Sequence, residues 1–357
     1  MKLSEIIYLY DAGSHKVLNL FGVSVDIKNK LLMSGLVRLC EWYKTHRRRK
    51  RRDWSLMNIA VADDPVFDDW RTSFASIAKS DAYDMLVAGM DSGSVDTVDR
   101  VLRGVRLAID DPACELVLDI YPDEEKEWRR QMQQMKEGVS NMNDYFVCGR
   151  YKFPSVPELS YHDGKPQDTL MRLAEIRTKN ILDVGAFIGD SAVVLAQYTD
   201  KQLYAFEPTS GNYSQLLKTI QLNGTKNIVP VKLALGDSEG EAAMSVNLGM
   251  SSLVMSYKNR GSEQIKCDTL DNFAKREGLG EVGLIKIDIE GFEQNFLAGA
   301  RGLICRDKPV LFISIYHNPS DFFHIKPMLE SWGLGYKFRI VQIPHESFYV
   351  EILLIAE

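Results

Sequence analysis

This chain lacks the features that mark several protein classes. Its five cysteines, Cys40, Cys114, Cys148, Cys267 and Cys305, are odd in number and widely spaced. They form no C-x-x-C pair and have no histidine beside them at metal-ligand spacing, which argues against a disulfide framework or a structural zinc site and for reduced, buried thiols. No apolar run approaches the length of a membrane span, and the longest, such as residues 310–316, are strand-sized. The opening MKLSEIIYLYDAG carries acids where a signal peptide needs an unbroken apolar core, so the expected location is cytoplasmic. There is no internal repeat and no low-complexity tract. With 357 residues, 45% of them hydrophobic, the chain has room and core material for two domains.

The most informative segment is ILDVGAFIGDSAVVLAQYTDKQLYAFEP, residues 181–208. Residues 181–184 predict an apolar strand, 185–189 a glycine turn, 191–197 a helix, and 203–206 a second strand ending in Glu207. Glu207 follows Gly185 by 22 residues, by subtraction of their numbers. A strand-end carboxylate at about 20 residues accepts hydrogen bonds from ribose hydroxyls. The dinucleotide pattern wants glycines at positions 187 and 190 so that backbone can approach a pyrophosphate, and this chain has Phe187 and Asp190. Gly185 and Gly189 instead fit two of the three glycines in the G-x-G-x-G turn of S-adenosylmethionine-dependent methyltransferases, whose cofactor carries no phosphate. The bland alternative is a glycine turn that merely lets strand and helix pack.

Along the chain, residues 16–28 read as a hairpin or bent strand around Gly22. Leu32, Leu36, Leu39, Cys40 and Tyr43 then recur at helical spacing. Residues 65–138 keep a helical pattern, with Ser94 expected as an N-cap and a mixed-charge helix over 123–137. Three prolines and a glycine in FPSVPELSYHDGKP, residues 153–166, put a boundary near 150. A helix over 167–177 leads into the alternation. Further strands are expected at 228–235, 283–289 and 309–316, helices at 292–301 and 322–332, and an inserted hairpin within 236–268. The end, YKFRIVQIPHESFYVEILLIAE, reads as two strands with no helix between them. The expected fold is therefore α/β: a doubly wound seven-stranded sheet of the methyltransferase type, with an antiparallel terminal hairpin, over residues 151–357. Residues 1–150 are expected to form a mainly helical accessory region with a short hairpin and a basic run.

Ligands of open α/β sheets sit beyond the carboxyl ends of the strands. Those ends carry Asp183 with Gly185, Glu207, Asp237, Asp288 with Glu290, and His317 with Asn318. In GLIKIDIEG, Lys286, Asp288 and Glu290 alternate with apolar residues, so a continuing strand points all three to one face. The competing structural reading pairs Lys286 with Asp288 and lets Glu290 cap the next helix, with His317 simply donating to a carbonyl.

DVGAFIGD, YAFEP, ALGD, the SSL at 251–253, CDTLDNF and KIDIEGFEQNFLAGA occur in order. Together they make residues 150–357 resemble the FkbM family of S-adenosylmethionine-dependent methyltransferases; Phe187 departs from the Asn of many members. The resemblance implies a class I methyltransferase fold and cofactor contacts by Asp183, Gly185, Ala186, Gly189 and Asp190 near the methionine moiety. It implies Glu207 at the ribose, Gly236 and Asp237 beside adenine, and Asp288 with Glu290 facing the methyl group. It also implies a sugar, glycan or other small-molecule hydroxyl as acceptor. In-line transfer to a hydroxyl needs alignment and a base, for which Asp288 or His317 are the candidates with Glu290 orienting. No metal is expected, the alternative being a divalent ion on Asp288, Glu290, His317 and Asn318. The rival functions are a noncatalytic nucleoside-binding subunit and an NAD-dependent oxidoreductase, against which Phe187 and the terminal hairpin argue.

The net charge of −6 is uneven, with 12 Lys and Arg against 4 Asp and Glu in residues 1–52. The run HRRRKRR, from His46 to Arg52, is either a solvated helix end or, with Trp42 and Tyr43, a dock for an anionic membrane surface. Nucleic acid is not an expected partner, because the run has no interleaved aromatics and the rest of the chain is acidic.

Overall fold

The structure, a computed structural model, describes residues 7–11, 16–20, 23–27, 65–77, 80–110, 130, 134, 137–158, 170–247, 250–252, 262–343 and 349–357. The amphipathic helix expected around Leu36, the basic run at 46–52 and nearly all of 123–137 lie outside these residues. The chain divides into two compact units, Met1–Asn58 and Ile59–Glu357.

In the first unit β1 (Ile7–Asp11), β2 (Lys16–Leu20) and β3 (Val23–Ile27) form an antiparallel sheet in that order. The expected hairpin over 16–28 thus gains a strand from IYLYD, whose branched and aromatic residues suit a pleated surface.

The second unit begins with α1 (Pro65–Ile77), α2 (Ala82–Val87) and α3 (Ser92–Asp110), then a small antiparallel sheet of β4 (Val139–Asn141), β5 (Phe146–Cys148) and β6 (Tyr151–Phe153). The alternation follows as α4 (Leu173–Arg177), β7 (Asn180–Val184), α5 (Asp190–Leu195), β8 (Leu203–Phe206), α6 (Ser210–Asn223) and β9 (Ile228–Val231). A separate four-stranded sheet contains β10 (Ala234–Leu235), β11 (Gly240–Asn247), β12 (Met250–Ser252) and β13 (Ser262–Asp268). The alternation resumes with α7 (Leu270–Glu277), β14 (Val282–Ile287), α8 (Glu293–Gly299), α9 (Arg301–Asp307), β15 (Val310–Ser314) and α10 (Pro319–Ser331), and ends in β16 (Phe338–Gln342) and β17 (Ile352–Ala356).

The main sheet has seven strands in the order β16-β17-β15-β14-β7-β8-β9, with β17 antiparallel between β15 and β16. Strands β14 and β15 are buried along their whole length, which is why their sequences read as nearly continuous apolar runs. Strand β7 feeds β8 on one side while β14 flanks it on the other, so the order reverses between β7 and β14. A crevice opens beyond the carboxyl ends at such a switch point.

Several expectations differ, and the helix expected over 167–177 begins only at Leu173. The strand expected over 228–235 stops at Val231, and Ala234–Leu235 pair instead with Cys267 and Asp268 of the inserted sheet. The helix expected over 292–301 breaks at Ala300 into α8 and α9. Ser94 is not a cap: Asp91 accepts from the Ser94 amide at 2.8 Å, while the buried Ser94 hydroxyl accepts from the Ile340 amide at 2.9 Å. That bond satisfies a donor of β16, the sheet's edge strand.

Trp70 ties the leading helices to the sheet domain. It has no exposed surface, meets Phe322 of α10 edge-to-face at 5.2 Å, and donates its indole N–H to the Tyr316 carbonyl at 3.4 Å, beside the end of β15. Trp70→Ala is expected to destabilise this unit by about 3–5 kcal/mol in urea unfolding. A loss well below 1 kcal/mol would show that α1 is not part of the cooperative core.

Candidate functional site

The crevice is floored by an ion pair. Lys286, in the middle of the sheet, would lose its charge to burial alone, but Asp183, Asp288 and Asp190 hold it charged, above the ordinary lysine range. Its ammonium lies 3.2 Å from Asp183 Oδ1 and donates to the Gly185 carbonyl at 2.6 Å. Asp183 also accepts from the Ser191 hydroxyl at 2.7 Å. The pair expected between Lys286 and Asp288 is therefore made with Asp183, one strand over.

The turn after β7 interlocks with the end of β14. Gly185 has φ +82°, and a Cβ there would sit 1.8 Å from the Asp288 carbonyl oxygen, so no side chain fits. The Gly185 and Ala186 amides both donate to the Phe206 carbonyl, at 3.1 and 2.9 Å. Phe187, at φ +47°, lines the cavity at the position where a diphosphate-binding turn has a glycine. Asp190 accepts from the Ser191 amide and, at 2.6 Å, from the Glu158 amide, which brings the segment after β6 over the cavity. Burial lifts the Asp190 carboxyl to about 6.

Glu207 forms the far wall. It is 5% exposed and accepts from the Thr209 amide and hydroxyl at 2.9 and 2.6 Å, which fixes its rotamer. Burial raises its pKa despite these bonds. Asn212, Leu235, Met244 and Phe292 line the same end, a mostly apolar slot beside a carboxylate.

The opposite wall is a cluster of charges. Strand β14 ends at Ile287, so the alternation read from KIDIEG does not continue; Glu290 sits at φ +59° and Gly291 at φ +95° in a tight turn. That turn exposes Asp288 and Glu290 to the cavity. His317, buried behind them, has Nε2 at 3.4 Å from Asp288 Oδ1 and 3.7 Å from Glu290 Oε2, and Nδ1 at 3.0 Å from Glu293 Oε1. Burial disfavours the imidazolium, yet Glu293, Glu290 and Asp288 outweigh it and push the pKa of His317 up to about 10. Burial lifts Glu290 to about 7 against the opposing pull of His317. The surrounding acids thus favour the charged form of His317, while the carboxyl groups of Asp288 and Glu290 are the acceptors that face the cavity. Asn318, considered with it as an ion ligand, is the N-cap of α10, accepting from the Asp321 amide at 2.8 Å. Donor atoms of Asp288, Glu293 and His317 lie within 4.8 Å of one another, the spacing of a divalent site.

Of the expected cofactor residues, Gly185, Asp190 and Glu207 line the cavity. Asp183, Ala186 and Gly189 are not among its lining residues. Gly236 packs against the Phe292 ring, which would be 2.7 Å from a Cβ. Asp237 is bonded to Asn295 and Ser238, whose hydrogen bonds lower its pKa, and lies off the cavity. Sequence reading missed Glu158 and Tyr316 as wall residues and Glu293 as a partner of His317. No local pattern marks Glu158, whereas the acid three residues beyond Glu290 in KIDIEGFE was a visible signal.

Comparison with known proteins follows this geometry. The Methyltransferase FkbM domain matches residues 183–338. No curated protein matches the chain by sequence. Among solved structures the chain is similar to a methyltransferase FkbM from Methylobacillus flagellatus KT at 19% identity and a TM-score of 0.53, covering 82% of this chain and 62% of that one. At that identity the likeness speaks for the fold, and the chain spans about three-fifths of that relative's length. A putative O-methyltransferase from Klebsiella pneumoniae is 14% identical, with a TM-score of 0.36 and coverage of 73% of this chain and 97% of that one.

Lys286→Met would leave Asp183 buried without its counter-ion, and unfolding experiments should show a loss of about 3–5 kcal/mol. Wild-type stability would remove the pair from the foundations of the site.

Proposed function

We propose that this chain, a member of the FkbM methyltransferase family through residues 183–338, transfers a methyl group from S-adenosylmethionine to a hydroxyl of a carbohydrate or glycan-type acceptor. The observation that carries this reading is the pairing of two walls in one cavity: buried Glu207 beside an apolar slot, and the carboxyl groups of Asp288 and Glu290 across the switch point. The first wall suits a ribose and a base, and the second a positive sulfur and a hydroxyl proton.

The residues fit the cofactor. Glu207, held by Thr209, presents acceptors for a ribose diol. Phe187 stands where a diphosphate-binding turn has glycine, and Leu235, Met244 and Phe292 offer apolar contact to a flat base. When bound, S-adenosylmethionine supplies an electrophilic sulfonium methyl. A wall of carboxylates favours such a cation, and among the described lining residues the one basic side chain, Lys286, is committed to Asp183 and Gly185.

The acceptor hydroxyl has to lose its proton as its oxygen attacks in line. Glu290 faces the cavity with a pKa of about 7, close to the value at which a base is both ionised and a competent proton acceptor near neutrality. Asp288 shares the imidazolium of His317 and fixes that edge of the wall. Hydroxyl-bearing sugars match carboxylate-lined walls because each hydroxyl donates to an acceptor-only group. This matching, together with the family's acceptors, supports the substrate class. The expected location is cytoplasmic; among the described residues no helix is long and apolar enough to cross a membrane.

The test is transfer of methyl-labelled S-adenosylmethionine into glycan extracts, with mass spectrometry of the products. Label appearing in protein or nucleic acid but never in carbohydrate would overturn the acceptor class. Glu290→Gln is expected to reduce transfer by 100-fold or more, of the order associated with a general base, while S-adenosylmethionine affinity stays within about threefold. Because the base acts ionised, wild-type activity should rise with pH through about 7. An activity flat across that range would exclude Glu290. Glu207→Ala should weaken S-adenosylmethionine binding on the order of 10- to 100-fold in calorimetry, as expected for lost charged hydrogen bonds.

A further inference from the structure

The segment after β6 is tied down at three points on its way to the cavity. Lys152 exchanges two hydrogen bonds with Asn223, the last residue of α6: its amide donates to Oδ1 at 2.9 Å and its carbonyl accepts from Nδ2 at 2.7 Å. The Ser155 hydroxyl donates to Gln215 Oε1 on the same helix at 2.7 Å. The Glu158 amide donates to Asp190 Oδ2 at 2.6 Å. Phe153 and Pro157 are buried between these tethers. Residues 152–158 therefore run as a strap along α6 to the start of α5, and there Glu158 lines the cavity. Its backbone makes the anchor, and among the described residues nothing hydrogen-bonds or ion-pairs with its carboxyl group. The charged groups acting on it are Asp190, Glu351, Asp288 and Lys286. Lys286, the one cation among them, is held by Asp183 and the Gly185 carbonyl. An acid set among acids in this way favours a cation brought in by a ligand.

The order of strands says which cation. The apolar slot includes Leu235, beyond β9, and Glu207 follows β8. The next strand in the sheet is β7, and after it comes β14 with Asp288 and Glu290 at its end. A nucleoside with its base in the slot and its ribose on Glu207 sends its 5′ substituent over the turn after β7, where Gly185, Asp190, Ser191 and Glu158 line the cavity. In S-adenosylmethionine that substituent carries an α-ammonium group beyond the sulfur. We propose that Glu158, delivered by the strap, receives this α-ammonium group, so that the cofactor's tail is gripped between the strap and the turn after β7. The proposal rests on S-adenosylmethionine as the cofactor and is independent of the acceptor and of the base. An ammonium has three donors and no acceptor, a carboxylate has acceptors only, and such charged hydrogen bonds are roughly twice as strong as neutral ones.

Calorimetry with S-adenosylhomocysteine and with its analogue lacking only the α-amino group tests this without acceptor or turnover. The wild-type chain should bind S-adenosylhomocysteine about tenfold or more tightly than the analogue, as expected for one charged hydrogen bond. Glu158→Gln keeps the backbone anchor on Asp190 and removes the charge. It should weaken S-adenosylhomocysteine by about tenfold and leave the analogue within about twofold, so that the preference largely disappears. A Glu158→Gln variant that keeps the wild-type preference, or that loses both ligands alike, would overturn the proposal, the second result marking a role in holding the strap instead. If the variant does not fold, the wild-type ratio decides, and equal affinities for the two ligands are incompatible with the proposal. Failure of the wild-type chain to bind S-adenosylhomocysteine at all would remove the cofactor and this proposal together, whereas an acceptor other than carbohydrate would leave these affinities as stated.

Discussion

A lysine ammonium sealed inside a sheet is the constraint on which this molecule is built. Lys286 lies in β14, flanked by β7 and β15, where an unpaired charge costs several kcal/mol. Asp183 on the neighbouring strand and the Gly185 carbonyl offset that cost, and both belong to the segment that forms the turn over the cavity. One ion pair thus fixes the register of two central strands and the position of the turn between them. Gly185 completes the lock from the other side, since its missing side chain lets the turn approach the Asp288 backbone. Stability and function meet here: the interaction that makes the core tolerable also shapes the floor of the site.

Above that floor, charge is graded by burial. Asp183 and Lys286 are fully enclosed and serve the fold. Glu207 is nearly enclosed and held by a threonine. Asp288 and Glu290 reach the cavity and keep a cation behind them. The same residue type performs three jobs because the dielectric and the partners differ, which is how one site keeps several carboxylates in distinct states at one pH. The leading helices contribute by packing: Trp70 clamps α10 and bonds the Tyr316 carbonyl, one residue before His317.

Much of this was readable in advance. The strand-turn-helix over 181–208, the acid at Glu207 and the terminal hairpin follow from periodicity, glycine placement and order, and each is local. The failures are equally specific. Strand β9 was drawn too long because apolar residues continued to Leu235, and period alone cannot tell which sheet will pair them. Gly236, expected beside adenine, adjoins the Phe292 ring, a neighbour that nothing local in the sequence marks. His317, a candidate base together with Asp288, is surrounded by three acids that its immediate sequence neighbours do not include.

By itself the sequence determined the alternation of strands and helices, the position of the glycine turn and which strand ends carry acids. These depend on residues within a few positions of one another, where backbone geometry converts spacing directly into direction. Only the tertiary structure decided which carboxylate neutralises Lys286, which nitrogen of His317 lies nearest Asp288 and Glu290, and that Glu158, 32 positions before Asp190, joins the cavity wall. Those outcomes depend on distances between strands and on the loss of water around each charge, quantities that exist only once the sheet has closed.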